Sequence, residues 1–402
     1  MLNWKRSRKI LLCVSGGIAA YKIPGLVSRL SKLDCAVEII LTKTAETLVS
    51  PLALSTLSKR RVWLQDDFFA PARGFEIPHI RLSEWADVVV VAPCSANTAF
   101  GLANGRTASI VEAAFLAATA PIVIFPAMNA HMFENQATKQ NLKTLASRGV
   151  RVVDPEFGAL ACGYEGKGRL PETPLILEEI FLALSPNHDL AGKHVLVTAG
   201  PTWEYIDPVR FISNPSSGKM GLAMARSAWY RGADVRMILG PVSLDASLHG
   251  IEVQNVVSAV EMRDRVIKNL EWADFIVKAA AVGDYRAKET FDHKLKREGS
   301  ETLSLDLVQN PDIAAEVGAL KKPGQFLIGF AAETDDILKN ARSKMERKGL
   351  DIILANDVSS SEGGFASDNN TIHLISKTGD AVFSGGKEEV ADAVWGYIAE
   401  NK

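Results

Sequence analysis

The stretch VLVTAGPTWEYIDPVRFISNPSSGKMG, residues 195–221, decides the fold of the second half of the chain. It predicts a strand over 195–198, a long polar loop, and then small residues from Ser216 to Gly221 that open a helix over 222–230. Small residues before a helix N-terminus let backbone N–H groups approach an anion, and the helix dipole favours an anion there. The stretch therefore predicts an α/β unit that binds a phosphate-bearing ligand.

A second turn of this kind lies near the start of the chain, where ILLCVSGGIAAY covers residues 10–21. Two such turns indicate two α/β units, which suits a chain of 402 residues. The polar segment LSPNHDLAGK, residues 184–193, contains Pro and Gly and is typical of a linker. We expect one domain over residues 1–187 and a second over residues 188–402.

Short apolar runs alternate with helical patterns in both halves of the chain. Strands are predicted at 10–14, 36–41, 88–92, 122–126 and 150–153, and in the second half at 195–198, 234–239, 252–256, 275–278, 326–330, 352–355 and 371–375. Helices are predicted between strands, for example over 21–32, 97–103, 109–118 and 138–148. Because the strands of the first half are too apolar to have a face in water, the pattern indicates the α/β class, with two doubly wound domains.

The composition is that of an ordinary globular protein, with 47% hydrophobic and 23% charged residues and a net charge of −2. Such a charge balance gives no indication of a nucleic-acid or membrane partner. The cysteines, Cys13, Cys35, Cys94 and Cys162, form no C-x-x-C pair, which favours a reducing cytosol over secretion or a zinc site. The apolar run at 10–14 is too short for a signal peptide, and no run approaches the ~20 apolar residues of a membrane span. We expect a cytoplasmic protein.

Polar and small residues of the first half follow three predicted strands, at the edge where open α/β sheets bind phosphate-bearing ligands. These residues are Ser15, Gly16, Gly17, Thr42, Ser95, Asn97 and Thr98. The Ser-Gly-Gly segment alone could equally be a tight turn, because it lacks the full G-x-G-x-x-G spacing. Clustering at several strand ends favours a pocket.

Three further residues of the first half could carry chemistry. Asn129 follows another predicted strand, where it could bind a carboxylate or amide, or could cap the helix that begins near residue 130. His79 lies in a predicted loop, where a lone histidine is more often structural than catalytic. Cys162 lies between small residues in the glycine-dense segment 158–169, which we expect to be mobile, and is the best candidate for a reactive thiol.

The motifs SGGIAAYK, APCSANT, PAMNAHM and ALACGYEGKGR resemble, in this order, the flavin-dependent cysteine decarboxylases. The match is closest to the decarboxylase half of the bifunctional phosphopantothenoylcysteine decarboxylase/phosphopantothenate–cysteine ligase family, over about residues 8–183. The resemblance implies a flavodoxin-like or Rossmann-like domain with FMN in the pocket named above. It implies oxidation of the substrate thiol to a thioaldehyde, loss of CO₂, and return of the electrons from the reduced flavin. His79 and Asn129 would act at the substrate carboxylate, and Cys162 would donate the final proton. Phe133 departs from the family pattern, which more often has Trp or Tyr there.

The polar residues of the second half lie in turns, loops and one helix. Asn214 comes just before the small-residue turn, and its simplest role is to form that turn. Asp284 could accept a hydrogen bond from a ribose hydroxyl, help to hold Mg²⁺, or cap a helix. Lys294 belongs to a basic cluster in an irregular segment, and such clusters are usually only solvated. Lys344 and Lys348 share one helix face, which favours a phosphate partner because like charges at this spacing repel.

The motifs TAGPTWEYIDPVRFISNPSSGKMG, KAAAVGDY, KLKR, NPDI, GFAAET and LAND resemble the ligase half of the same family over about residues 191–400. The resemblance implies a Rossmann-like domain that joins 4′-phosphopantothenate to L-cysteine with CTP, through an acyl-cytidylate that releases pyrophosphate and then CMP. Asn214 would contact the acyl-cytidylate, and Lys294 would neutralise phosphate charge. The residues implied around CTP are Ala280, Asp284, Lys294, Pro311, Asp312, Ile313, Ala314, Phe330, Lys344 and Lys348. Gly283 and Arg297 depart from the usual A-D-Y and K-x-K-K motifs.

Together the two resemblances imply a bifunctional enzyme of coenzyme A biosynthesis with small-molecule substrates and no nucleic-acid or membrane partner. They also imply a homo-oligomer, with trimeric flavin domains, FMN at a subunit interface, and dimeric ligase domains, which a dodecamer would combine. One alternative is a peptidyl-cysteine decarboxylase fused to an inactive nucleotide-binding module, which Asn214 and Lys294 disfavour. Another is a regulatory flavin-binding subunit, which Cys162, His79 and Asn129 disfavour.

Overall fold

The computed structural model describes residues 8–69, 77–161, 163–185, 188–243, 249–296, 303–333, 337–357 and 369–401. The chain divides between Pro186 and Asn187 into two compact units. We refer to residues 8–185 as the N-unit and to residues 188–401 as the C-unit. None of the helices within the described ranges has both the length and the apolarity that crossing a membrane requires.

A six-stranded parallel sheet forms the centre of the N-unit. Its strands are β1 (Arg8–Val14), β2 (Cys35–Leu41), β3 (Val62–Trp63), β4 (Val88–Cys94), β5 (Ile122–Pro126) and β6 (Arg151–Val152). Their order across the sheet is β3-β2-β1-β4-β5-β6, and every neighbouring pair is parallel. The order reverses direction between β1 and β4, so a crevice opens there at the carboxyl edge of the sheet.

Helices cover both faces of this sheet. They are α1 (Ile23–Lys32), α2 (Lys43–Leu48), α3 (Pro51–Ser58), α4 (Pro78–Trp85), α5 (Ala96–Ala103), α6 (Ile110–Ala117), α7 (Ala130–Glu134), α8 (Gln136–Ser147) and α9 (Thr173–Ala183), with short 3₁₀ helices at Ile18–Lys22 and Gln65–Asp67. Helix α1 shows why they pack: Ile23, Leu26, Val27 and Leu30 recur at helical spacing and are buried. An antiparallel hairpin, β7 (Glu156–Ala159) and β8 (Glu165–Arg169), stands outside the main sheet.

The C-unit is built on an eight-stranded mixed sheet. Its strands are β9 (His194–Ala199), β12 (Asp234–Leu239), β13 (Ile251–Asn255), β14 (Phe275–Lys278), β17 (Phe326–Glu333), β18 (Ile352–Asp357), β19 (Asn369–Ser376) and β20 (Asp380–Gly386). The order is β13-β12-β9-β14-β17-β18-β19-β20, parallel up to β18 and antiparallel beyond it. Two small antiparallel pairs lie outside it: β10 (Glu204–Tyr205) with β11 (Phe211–Ile212), and β15 (Tyr285–Ala287) with β16 (Leu307–Gln309). The strand order of the large sheet reverses between β9 and β14, which predicts a second ligand crevice there.

The helices of the C-unit are α10 (Lys219–Tyr230), α11 (Ala259–Leu270), α12 (Ile313–Leu320), α13 (Ile337–Lys348) and α14 (Lys387–Asn401). Helix α10 packs against the C-terminal helix α14 through the fully buried Trp395, whose indole N–H donates to the Met224 carbonyl at 3.0 Å. Arg231 adds ion pairs to Asp392 and Asp189. The helix that follows the small-residue turn is therefore held by the last helix of the chain.

The predicted fold class is confirmed, and the apolar strands lie close to where the sequence places them. One boundary differs, because α10 begins at Lys219 rather than at residue 222. The left-handed conformation of Gly218, with φ of 71°, turns the chain so sharply that the last small residues are already helical. The very short strands, such as β3 and β10, escaped the prediction because two residues carry no periodicity.

Candidate active sites

Ser15 joins the ends of β1 and β4 at the carboxyl edge of the N-unit sheet. Its hydroxyl donates to the Pro93 carbonyl at 2.7 Å and accepts from the Ser95 N–H at 2.9 Å. The residue has no exposed surface. These two bonds fix the crevice wall at a residue that the family resemblance places at FMN.

Other hydroxyls of the predicted pocket cap helices at the same edge. Thr42 accepts from the Ala45 N–H at 3.3 Å, and Ser95 accepts from the Thr98 N–H at 3.3 Å. A hydroxyl that accepts such a bond keeps its own proton, which can be donated to a ligand. Ser95 and Thr98 share one further hydrogen bond, with 3.1 Å between their oxygens. Asn97 is exposed on α5, beside this pair in the sequence.

Gly16 and Gly17 behave differently at the end of β1. A Cβ added to Gly16 would lie 2.3 Å from the Cβ of Thr44, so the fold itself needs glycine there. A Cβ added to Gly17 would meet nothing within 4 Å, although the backbone of Gly17 is extended and could accept any residue. The space in front of Gly17 is therefore open, as a ligand at this crevice requires.

Asn129 caps helix α7, since its Oδ1 accepts from the His131 N–H at 2.9 Å. The structure thus shows the capping role that the sequence left as one of two possibilities. The hairpin β7–β8 packs onto the same loop: the Met128 N–H donates to the Gly168 carbonyl at 3.0 Å. A Cβ on Gly168 would lie 2.2 Å from the Met128 carbonyl oxygen, so the close approach depends on that glycine.

The ends of segment 158–169, which the sequence predicts to be mobile, belong to this hairpin. Leu160 and Tyr164 close the turn, with the Leu160 N–H donating to the Tyr164 carbonyl at 2.8 Å. Cys162 itself lies outside the described residues. Phe133, which departs from the family pattern, is buried in the N-unit core.

His79 lies in the first turn of α4, not in a loop. Its Nδ1 is buried and has no hydrogen-bond partner within the described residues. The ring packs edge-on against Phe68, with 5.2 Å between centroids. Burial lowers the pKa of His79, which favours the neutral imidazole. Within the described ranges, the His79 ring makes no hydrogen bond to the strand-end residues.

Two adjoining clefts open at the carboxyl edge of the C-unit sheet. The first, which we call the glycine-loop cleft, has a volume of about 440 Å³ and is lined by Asn214, the loop from Ser216 to Gly221, and residues after β14. The second, the lysine cleft, has a volume of about 490 Å³. Nine predicted CTP residues line the lysine cleft: Ala280, Asp284, Pro311, Asp312, Ile313, Ala314, Phe330, Lys344 and Lys348. Ala280, Asp284, Phe330 and Lys344 also line the glycine-loop cleft.

The glycine-loop cleft ends at the N-terminus of α10, where Gly218 provides no side-chain cap. Backbone N–H groups at such a terminus suit an anionic ligand. A Cβ on Gly221 would lie 2.5 Å from that of Ala199, so this glycine lets α10 approach β9. Asn214 crosses to the opposite wall, where its side-chain N–H donates to the Val282 carbonyl at 3.1 Å.

Asp284 is exposed between the two clefts. Hydrogen bonds from Asn310 fix its loop, since the Asn310 N–H donates to the Asp284 carbonyl and the side chain donates to the Gly283 carbonyl, both at 2.8 Å. No cluster of three potential metal ligands occurs among the described residues. Mg²⁺ is often held by one or two carboxylates together with substrate phosphates, which suits a single aspartate here.

Asp312 and Lys348 form an ion pair within the lysine cleft, with 2.9 Å between Oδ2 and Nζ. Asp312 also caps α12 by accepting from the Ala315 N–H at 3.1 Å. Burial works to raise the pKa of Asp312, but the hydrogen bonds from Lys348 and Ala315 outweigh it and leave this pKa below its usual value. The like charges of Lys344 and Lys348 are therefore partly balanced by the protein itself.

Lys294 does not line either of these clefts. Its neighbour Leu295 is anchored, since the Leu295 N–H donates to Asp207 at 3.2 Å and its carbonyl accepts from Arg210 at 3.1 Å. Burial tends to raise the pKa of Asp207, but bonds from backbone N–H groups and Arg210 outweigh it and keep the carboxylate charged. Arg297 lies outside the described residues.

Lys278 is a cleft residue that the sequence did not single out. It ends β14, lines the lysine cleft and is 8% exposed. The signal available in the sequence was a lysine ending an apolar strand directly before Ala279 and Ala280. Such a lysine normally marks the point where a strand reaches water, so its burial could not be read from the pattern.

Comparison with known proteins places both units. The family model described as Flavoprotein matches residues 2–185, and the DNA/pantothenate metabolism flavoprotein C-terminal domain matches residues 190–401. A protein of Bacillus subtilis (strain 168), named coenzyme A biosynthesis bifunctional protein CoaBC, is 45% identical over 381 residues, covering 94% of this chain and 92% of its own length. A protein of the same name from Escherichia coli (strain K12) is 41% identical over 385 residues, covering 95% of this chain and 94% of its own length. The crystal structure of a CoaBC C-terminal domain is 37% identical, covers 53% of this chain and 97% of its own, and has a TM-score of 0.45.

Proposed function

This chain belongs to the family of coenzyme A biosynthesis bifunctional proteins, and we propose that its two units divide the two activities between them. The C-unit joins 4′-phosphopantothenate to L-cysteine with CTP. The N-unit then decarboxylates the product, 4′-phosphopantothenoylcysteine, to 4′-phosphopantetheine with FMN. The order follows from the chemistry, because the carboxylate that is lost belongs to the cysteine added in the first reaction.

The observation that supports the ligase assignment is the lysine cleft itself. Residues from four separate parts of the sequence, represented by Asp284, Asp312, Phe330 and Lys344, meet in one cavity beside β14 and β17, next to the strand-order reversal. Lys344 and Lys348 offer positive charge to a triphosphate there. The N-terminus of α10, which has no side-chain cap, lies in the adjoining cleft. The two clefts together provide room for a nucleotide beside the acyl group that it activates.

The ligase residues act mainly by position and charge. A free carboxylate has no leaving group, so it must first attack the α-phosphate of CTP to form the acyl-cytidylate. Lys344 and Lys348 stabilise the charge on the phosphates, and Lys294 reaches the reacting phosphate from its anchored loop. Asp284 holds Mg²⁺, which would shield the negative charge of the triphosphate. Asn214 orients the acyl-cytidylate for attack by the cysteine amine, with release of CMP.

The N-unit crevice fits FMN by its open space and its donors. No described residue comes within 4 Å of a Cβ placed on Gly17, and the hydroxyls of Thr42, Ser95 and Thr98 lie near the reversal point between β1 and β4. Gly16 and Ser15 shape the wall, and Asn97 offers an amide. Bound FMN supplies a two-electron acceptor that makes the cysteine carbon chain able to lose CO₂, and it later returns the electrons.

Three residues of the N-unit then act on the substrate. Asn129, at the start of α7, holds the carboxylate that leaves, and the neutral imidazole of His79 acts beside it. Cys162 donates the proton that completes the product. The other cysteines support this assignment, because Cys13, Cys35 and Cys94 are all buried.

We further propose a cytoplasmic homo-oligomer. Ile18, Tyr21, Phe100 and Met132 are apolar and exposed on elements that follow the strand ends of the N-unit, which supports packing of flavin domains around the crevice as trimers. On the C-unit, the ring of Phe211 stacks on Trp203 at 4.4 Å and is itself partly exposed, which supports pairing of ligase domains. A dodecamer would satisfy both contacts.

The test uses the purified full chain. It should be yellow from bound flavin, and it should convert 4′-phosphopantothenate, L-cysteine and CTP with Mg²⁺ to 4′-phosphopantetheine. Replacing CTP by ATP should stop the first step, while 4′-phosphopantothenoylcysteine should still be decarboxylated. Cys162→Ser should decarboxylate the substrate but leave an oxidised enethiol product. A yellow protein without any ligase activity would instead favour a decarboxylase fused to an inert nucleotide-binding module.

A further inference from the structure

Lys278 carries a buried amine that nothing in the described protein pairs. The residue ends β14, lines the lysine cleft and is 8% exposed. Its Nζ is buried and has no hydrogen-bond partner among the described residues. Burying an amine without an acceptor costs free energy. That cost is recovered only if a molecule entering the cleft brings the missing acceptor.

The charged groups around this amine come from three elements. Asp312 faces it from the start of α12, and Lys348 faces it from α13, already paired to Asp312. Lys344 on α13 and Asp284 in the loop after β14 line the same cleft. The partners of Lys278 on the neighbouring strands are Thr198 and Gly329, neither of which titrates.

These surroundings disfavour the charged form of Lys278. Burial lowers its pKa, the carboxylate of Asp312 acts against this, and the charge of Lys348 adds to it, with a resulting pKa of about 7. Near pH 8 the amine is therefore mostly neutral in the protein without ligand. An acceptor placed against it, and above all an anionic phosphate oxygen, would favour the ammonium form.

We propose that Lys278 contacts the nucleotide directly and takes up a proton from solvent when the nucleotide binds. The inference rests on the proposed function, because it requires the lysine cleft to be the CTP site. It goes further in assigning a binding role to Lys278, the first residue of the KAAAVGDY motif, and in coupling nucleotide binding to protonation. Lys344 also lines the cleft but does not contribute to the lowered pKa of Lys278. Lys344→Met therefore serves as the matched control.

The proton is counted by titration calorimetry on the full-length protein. CTP premixed with Mg²⁺ is titrated at pH 8 in two buffers of different ionisation enthalpy, and the difference in heat gives the protons taken up. We expect the wild type to take up a proton, and Lys278→Met to take up none and to bind CTP about 10- to 100-fold more weakly, as loss of a hydrogen bond from a charged donor implies. Lys344→Met should bind CTP more weakly while keeping the proton uptake.

A second titration identifies which part of CTP accepts the hydrogen bond from Lys278. Cytidine, which lacks phosphates, is titrated under the same conditions. Proton uptake with CTP alone assigns the acceptor to the phosphate chain, and uptake with both ligands assigns it to the base. In either case the uptake should vanish at pH 6, where the amine is already protonated.

The outcomes separate the two proposals. Equal proton uptake and equal affinity in the wild type and Lys278→Met would overturn the role of Lys278 and leave the CTP site standing. Failure of the wild type to bind CTP at all would overturn both. A purely structural role for Lys278 predicts that Lys278→Met lowers thermal stability without ligand, whereas we expect it to raise that stability, since a methionine buries the same volume without an unpaired amine.

Discussion

The carboxylate of Asp312 and the ammonium of Lys348 lie 2.9 Å apart within the lysine cleft, so Lys348 is already paired, while Lys344 lines the same cleft. Lys348→Met removes that cation and also leaves a bare carboxylate facing the triphosphate. We expect it to raise the KM for CTP more than Lys344→Met does, by roughly 10- to 100-fold against wild type, because an unpaired partner charge adds its own penalty. Ligase assays at varied CTP give both values. A smaller effect for Lys348→Met than for Lys344→Met would show that the pair does not face the nucleotide.

The anchoring of Leu295 by Asp207 makes a remote residue important for the first ligase step. Asp207→Asn removes the charge that holds Arg210 and weakens the bond to the Leu295 N–H, so the loop bearing Lys294 loosens. We expect pyrophosphate release in a single turnover to slow about tenfold, the effect of misplacing one electrostatic contact. Asp292→Asn, in the same loop but exposed, should leave that rate unchanged. Equal rates of pyrophosphate release in the two variants would show that the contact of Asp207 with Leu295 does not affect this step.

Gly17 offers a direct test of the flavin crevice. Gly17→Val places its side chain in open space and keeps an extended backbone, so it should fold with the thermal stability of the flavin-free wild type. If FMN lies there, the purified variant should lose the yellow colour and the decarboxylase activity while ligase activity persists. Gly16→Val should instead lower the melting temperature, because its side chain would collide with Thr44. Retention of flavin by Gly17→Val would place the cofactor elsewhere.

The contact between Gly168 and Met128 predicts a second split between the two activities. Gly168→Ala would place a methyl group 2.2 Å from a backbone oxygen and push the hairpin away from Asn129. We expect a decarboxylase kcat lower by at least about tenfold, since a displacement of about 1 Å at a site is that costly, and an unchanged ligase rate. Gly158→Ala is the matched control in the paired strand, where the nearest atom is a flexible arginine end at 3.4 Å. Similar loss in both variants would point to general damage to the hairpin.

The protonation of Lys278 also gives the free protein a characteristic pH dependence. Its pKa is about 7 when folded and near 10.5 when unfolded, so between these values the unfolded chain binds more protons and the stability of the wild type rises with pH. The slope is at most about 1.4 kcal/mol per pH unit. Lys278→Met lacks this pH-dependent contribution. Its free energy of unfolding should therefore exceed that of the wild type most at pH 7 and below, and by less at pH 9. Urea unfolding of the C-unit, followed in both proteins at several pH values, measures this difference. A difference that does not change with pH would contradict the lowered pKa of Lys278.

The sequence located both candidate sites because each follows from a local rule. The turns after β1 and β9 place small residues before helices, and the polar residues after Val14, Leu41 and Cys94 necessarily meet at one sheet edge. Such placement needs only the strand pattern and the parallel order of the strands. The proposed roles of these residues come from family resemblance and stay predictions.

What the sequence could not supply depends on contacts between distant segments. The pairing of Asp312 with Lys348 joins residues 36 positions apart, and the burial of Lys278 depends on elements that follow it. The sequence places Ser15 at a strand end, and only the structure shows that its hydroxyl bonds to Pro93 and Ser95. A hydroxyl or an amine can form hydrogen bonds within the protein or to a ligand, and the local sequence pattern does not show which partner it has.

The packing of Trp395 against Met224 has a consequence for how the protein folds during its synthesis on the ribosome. The six-stranded sheet of the N-unit is complete once β6 has emerged, so this unit can fold while translation continues. Helix α10 appears early in the second unit, yet it packs against α14 through a hydrogen bond between residues 171 positions apart. The ligase unit therefore cannot finish folding until α14 has left the ribosome. A premature stop within α14 would yield a truncated product that retains the flavoprotein unit and lacks a folded nucleotide site.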